Sequence, residues 1–103
     1  MKVCVFGCKT STVDLINFLK KKQCELNLVT IQTKVLEKNH VAGFLDLRYL
    51  IEAEKIFLTS DYSLKSESKY FLDQKFEIGF VMGWQRLIPK EILETFSIGV
   101  FGM

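Results

Sequence analysis

Residues 76–103 read FEIGFVMGWQRLIPKEILETFSIGVFGM, and the reading of this stretch decides the fold. Residues 78–82 and 98–101 are nearly continuous apolar runs, too short for helices and without the polar alternation of a half-exposed strand. Runs of that kind suit a parallel sheet covered on both faces. Between them Pro89 fits the first helical position, where its missing N–H leaves no bond unmade, and Ile92, Leu93 and Phe96 follow at helical spacing. The stretch is predicted as strand, loop, helix, strand.

The same alternation runs upstream. Residues 3–6 form a buried strand that turns at Gly7 into a helix over about 11–22, with Leu15, Ile16, Phe18 and Leu19 as its apolar face. Ser11, with Asp14 three residues on, predicts a capping box. Lys20, Lys21 and Lys22 close the helix at the negative end of its dipole. Residues 26–31 predict a second strand and 34–40 a polar loop. An amphipathic helix near 41–53 follows, with Phe44, Leu47 and Ile51 on one face. A short strand at 56–58, a turn at 59–65 and a helix at 66–74 with Tyr70 and Phe71 inward complete the pattern. Such alternation implies an α/β fold, a Rossmann-like doubly wound parallel sheet of about five strands in the order 3-2-1-4-5, with right-handed crossovers. In that order the switch point lies between the first and fourth strands. The loops 7–12 and 83–88 are then expected at one crevice, where open α/β sheets bind ligands.

The second of these loops combines a hinge, Gly83, with a flat aromatic, Trp84, and two polar side chains, Gln85 and Arg86. A ligand platform accounts for them, and so does a structural set in which Trp84 caps the core and Arg86 is solvated. The first loop has Gly7, Lys9, Thr10 and Ser11 but lacks the second glycine of a P-loop and is not GxGxxG. Either it caps the helix or it presents N–H groups to an anion. His40, beside Asn39, is read as a solvated or capping residue, with a base or ligand as the other possibility.

Composition sets outer bounds. At 103 residues and 49% hydrophobic, the chain can build one small core that buries roughly two-thirds of its unfolded surface. Nine Phe and one Trp are generous for that size, so further sequence or a partner is expected to cover part of the apolar surface. A net charge of +2 gives no basic face for nucleic acid. No apolar run reaches transmembrane length, and the start lacks a signal-peptide pattern. Cys4, Cys8 and Cys24 are irregularly spaced without a CxxC pair and read as reduced thiols of a cytoplasmic protein. No metal site and no paired carboxylates can be assembled.

From residue 76 onward the chain resembles the folate-dependent formyltransferase family, which includes the methionyl-tRNA and sugar-nucleotide N-formyltransferases. An acidic residue, Glu77, opens an apolar strand, an aromatic-polar loop leads to Leu87 and Ile88, and a helix with Glu91, Ile92 and Leu93 precedes the Gly-rich strand of Ile98, Gly99, Val100 and Phe101. In outline the resemblance covers residues 1–103 as the N-terminal portion of a single formyltransferase-type domain. It implies that Met82, Gly83, Trp84, Gln85, Arg86, Leu87 and Ile88 wrap the pterin of formyl-tetrahydrofolate, largely through main-chain groups. It also implies that Lys9, Thr10 and Ser11 lie near the amine acceptor. The phrase GWQRLIPKEIL is more similar to the sugar-nucleotide enzymes, which implies a nucleotide-linked amino sugar as that acceptor.

The next motif of that family is Asn-x-His at the end of the last strand. Gly102 stands at the Asn position and the sequence stops at Met103, so the resemblance implies a fragment that ends before the catalytic histidine, with the sheet incomplete at its C-terminal edge. A positioned base contributes about 10²–10⁴ in rate, and one lost oxyanion donor costs roughly 3 kcal/mol. No catalytic residue is assigned, and the chain alone is expected to be inactive. A different class fits the same residues: a small non-catalytic Rossmann-like module that binds a nucleotide or a protein.

Overall fold

The computed structural model describes residues 1–47 and 55–102. Five strands, β1 (Lys2–Phe6), β2 (Glu25–Ile31), β3 (Lys55–Thr59), β4 (Ile78–Val81) and β5 (Gly99–Gly102), alternate with four helices. These are α1 (Thr10–Leu19), α2 (Thr33–Lys38), α3 (Ser68–Gln74) and α4 (Lys90–Leu93). The strands pair in the order β3-β2-β1-β4-β5, and every pairing is parallel. The α/β, Rossmann-like arrangement expected from the alternation is the one observed.

The apolar runs explain why the sheet is covered twice. Successive side chains of a strand face opposite ways. Cys4 and Phe6 of β1 enter one cluster with Leu36, Phe71, Ile92 and Phe96, whereas Val3 and Val5 enter another with Ile16 and Leu19 of α1. Phe6 is the hub of the first cluster, with ring centroids 5.6 Å from Phe71 and 6.0 Å from both Trp84 and Phe96. Each such aromatic pair contributes about 0.5–1.5 kcal/mol beyond burial. Gly79 makes room for it, since a methyl group there would lie 2.8 Å from the Phe96 ring.

Several boundaries differ from expectation, each for a tertiary reason. α1 begins at Thr10 with Lys9 as N-cap, and the reciprocal hydroxyl is that of Thr12, which accepts the Lys9 N–H at 3.2 Å; Ser11 and Asp14 form no capping box. The helix ends at Leu19, so Lys20, Lys21 and Lys22 follow it instead of closing its last turn. Residues 33–38 are helical, not a polar loop, because Leu36 is buried and pulls that turn onto the core. α2 is then closed by a Schellman motif. His40 takes φ 53° and donates its N–H to Glu37 O at 3.1 Å, while Val41 N–H reaches Leu36 O at 3.1 Å.

The amphipathic helix expected over 41–53 is absent over 41–46, where the backbone is not helical. Phe44 and Leu47 pack in opposite clusters instead of sharing a face, and Ile51 lies outside the described residues. Pro89 is the N-cap of α4 and not its first residue, its carbonyl accepting from Ile92 and Leu93. β5 starts at Gly99, and Ile98 is exposed.

Among the described residues no helix is long and apolar enough to cross a membrane. None of them gathers three or more His, Cys, Asp or Glu side chains that could hold a metal ion.

Candidate functional site at the carboxyl ends of β4 and β5

The switch point lies between β1 and β4, where the two loops singled out in the sequence do meet, in direct hydrogen-bonded contact. Gly83 O accepts from both the Cys8 N–H (3.2 Å) and the Cys8 thiol (3.3 Å). The Thr12 hydroxyl donates to Met82 O, and Met82 N–H donates to Phe6 O at 3.0 Å. Gly83 has φ +82°, and a methyl group on it would lie 2.7 Å from Thr12 Oγ1 and 3.0 Å from Lys9 Cβ. Leu45 N–H donates to Cys8 O at 2.7 Å, which straps the segment before residue 48 across the end of β1.

Around this contact three backbone donors of the first loop are taken up. Phosphate cradles need free N–H groups aimed at the ligand. Here the Gly7 N–H is bound to Val29 O, that of Cys8 to Gly83 O and that of Lys9 to Thr12 Oγ1. Lys9, Thr10 and Ser11 are thus placed at the start of α1, with Lys9 and Ser11 beside Gly83. They line neither of the cavities around the 83–88 loop.

Those cavities lie one strand further out. The first, of about 420 Å³, is lined by Val81, Val100 and Gly102 at the strand ends, Leu93 of α4, and Trp84, Gln85, Arg86, Leu87 and Ile88. A second, of about 660 Å³, shares Gln85, Arg86, Leu87 and Ile88 and is completed by Ser63, Lys65, Pro89 and Glu91. Both volumes are in the range of small-molecule sites. Of the seven residues expected around a cofactor, five gather on the first cavity. Met82 and Gly83 do not; they anchor the loop to β1 and α1.

Trp84 unites the two roles that its residue type left open. It is 8% exposed, packs edge-on against Phe6 and against Tyr62 (5.4 Å), and also lines the first cavity. Its Nε1 is buried and has no hydrogen-bond partner. A buried orphan donor carries a penalty of about 1–3 kcal/mol. Leu87 is the opposite case: it is 95% exposed, an apolar side chain held out into solvent on the rim.

Two titratable groups beside the loop, Cys8 and Tyr62, are held protonated. Burial pushes the Cys8 thiol up, with Lys9 opposing more weakly. Burial also raises the Tyr62 phenol, against a smaller downward pull from the Gln85 amide, a further rise from Cys8 and a downward contribution from Arg86. Neither is a base at neutral pH. His40, the chain's single histidine, is exposed and lines neither cavity, yet its neighbour Asn39 accepts a hydrogen bond from Arg86 Nη2 at 3.1 Å. The end of α2 is therefore adjacent to the loop in space, although 47 positions separate Asn39 from Arg86 in sequence.

Ser63, Lys65, Tyr62 and Asn39 were not legible as site residues, because nothing in a linear pattern joins a turn after β3 to a loop after β4. No protein-family model matches the chain, and no curated protein matches it.

Proposed function

We propose that this chain is the cofactor-binding part of a formyltransferase-type domain, and that the cavity at the ends of β4 and β5 receives the pterin of formyl-tetrahydrofolate. The observation that carries this reading is the first cavity, walled by Trp84 to Ile88 with apolar surface from Val81, Leu93 and Val100. A flat heteroaromatic ring complements such a wall. The resemblance of the 77–101 segment to the family supports the same assignment. The acceptor in this reading is an amine, best a nucleotide-linked amino sugar, in a cytoplasmic protein.

Binding is proposed without transfer. The formyl chemistry belongs to the bound cofactor, and what the protein must add is a base for the attacking amine and donors for the oxyanion. Cys8 and Tyr62 are held protonated, and His40 lines neither cavity. Gly102, at the end of β5, offers no side chain to the reaction.

Trp84 is the only tryptophan, so its emission reports on this site alone. Titration with 5-formyl-tetrahydrofolate, the stable formyl isomer, should quench it saturably, whereas a nucleotide-linked amino sugar alone should leave it unchanged. Quenching by the nucleotide and none by the folate would replace this reading with that of a nucleotide-binding module.

A further inference from the structure

We propose that the open edge of β5 is an interface with a second copy of this chain, paired strand against strand and antiparallel across a two-fold axis, with the two Val100 residues opposite each other. The inference is independent of the folate reading and stands on the pattern of β5 and its surroundings.

Among the described residues the outer N–H and C=O groups of β5 meet no strand, since β5 follows β4 at the end of the sheet order. Edge strands that stay single usually carry a lysine, a proline or a bulge that discourages pairing. Residues 95–102 hold no charge and no proline. Leu87, Leu93, Ile98 and Phe101, all exposed, lie on β5 or on the loop and helix leading to it, so exposed apolar surface gathers at this edge. Such a patch marks an interaction surface.

The strand is its own complement, which selects a second copy as the occupant. Residues 98–102 read Ile-Gly-Val-Phe-Gly, and set antiparallel against themselves about Val100 they place each large residue opposite a glycine. Ile98 faces Gly102 of the second copy, and Phe101 faces its Gly99. Opposite residues of an antiparallel pair lie on one face of the sheet, close enough to pack. Room exists at both glycines: nothing lies within 4 Å of a methyl group built on Gly102, and on Gly99 it would meet only the tip of the Phe101 ring, at 4.0 Å. Ile98 and Phe101 are the exposed members, at 54% and 49%. An aromatic ring laid over a cross-strand glycine covers an otherwise bare edge. This register pairs all five residues, whereas a shift by two leaves Ile98 without a partner.

A two-fold axis sets like against like, so nearby charge would oppose it. The nearest charged side chain before the strand, Glu94, is paired with Lys90 at 3.6 Å. Gly102 also belongs to the wall of the first cavity. The second copy's Ile98, opposite Gly102, closes that wall at the strand edge, and each copy thereby contributes a residue to the other's cavity.

Sedimentation equilibrium of the chain tests the pairing. Wild type should show a monomer–dimer equilibrium with a Kd of about 10–100 μM, as so short an interface implies. Gly102→Ile, which sets Ile against Ile98, should weaken it at least about tenfold. Ile98→Gly combined with Gly102→Ile restores large against small and should recover the wild-type Kd to within about threefold. Disulfide trapping reads the register directly. Cys4 and Cys8 are buried, so in a Cys24→Ser background Val100→Cys should cross-link two chains with oxidised glutathione, and Phe101→Cys, offset from its own copy, should not. A wild type that stays monomeric up to about 1 mM overturns the proposal and leaves the edge to a strand of different sequence. Association with no plateau at the mass of two chains, Gly102→Ile without effect, or equal cross-linking at positions 100 and 101 would overturn it as well.

Discussion

Gly7 and Gly102 lie in similar sequence surroundings and have opposite tolerance for a side chain. A methyl group at Gly7 would overlap the Met82 carbonyl and the Thr12 hydroxyl, neither of which can move without opening the β1–β4 contact; at Gly102 nothing lies within 4 Å. Gly7→Ala should therefore lower stability by about 3 kcal/mol or more and Gly102→Ala by less than about 0.5 kcal/mol, read as urea midpoints of the two variants. A second contrast concerns the left-handed backbone. Lys75 closes α3 at φ 55° with its side chain exposed, a conformation that costs a residue with a Cβ about 1–2 kcal/mol. Replacing it by Gly should raise the thermal midpoint, by a net of roughly 0.5–1 kcal/mol once the extra freedom of the unfolded glycine is counted. A lower midpoint would show that the Lys75 side chain contributes more than its backbone costs.

Among the elements, β5 is the exposed one. Among the described residues it pairs with β4 alone, and Phe101 is 49% exposed with its ring 6.3 Å from Phe80. An apolar edge strand with unpaired N–H and C=O groups is a template for another strand. Phe101→Lys should reduce concentration-dependent association in sedimentation velocity, with the circular dichroism spectrum unchanged. At this same scale the sequence was most and least informative. β1 and β2 lay where their apolar runs placed them, because strands buried on both faces need no context to declare themselves. Helix ends were misplaced wherever a tertiary partner took over a local signal, as Thr12 and Met82 did at the start of α1 and Leu36 did in α2. The site divides in the same way. Trp84 to Ile88 could be chosen from one loop, whereas the props of Arg86, Asn39 and Tyr62, are joined to it only by the fold.

Taken whole, the molecule hides two thiols on or beside its central strand. Burial raises Cys4 well above the ordinary thiol value of about 9 and raises Cys8 as well. Below that pH both folded and unfolded chains keep these protons. Above it the unfolded chain releases them and the folded one does not, so stability should fall with rising pH by up to about 1.4 kcal/mol per unit for each thiol. Cys4→Ala and Cys8→Ala should each flatten the alkaline limb of a denaturation series, whatever they do to its plateau. The strand that carries Cys4 has a further consequence in time. β1 finds β2 across the single α1 crossover, but its other neighbour arrives much later, since Cys8 and Gly83 are 75 positions apart. A nascent chain emerging N-terminus first therefore spends most of its synthesis with the middle of its sheet half-built and one hydrogen-bonding edge bare. Closing that long interval is slow relative to local pairing, so the wall built from residues 83–88 should be the last part of the protein to acquire its shape.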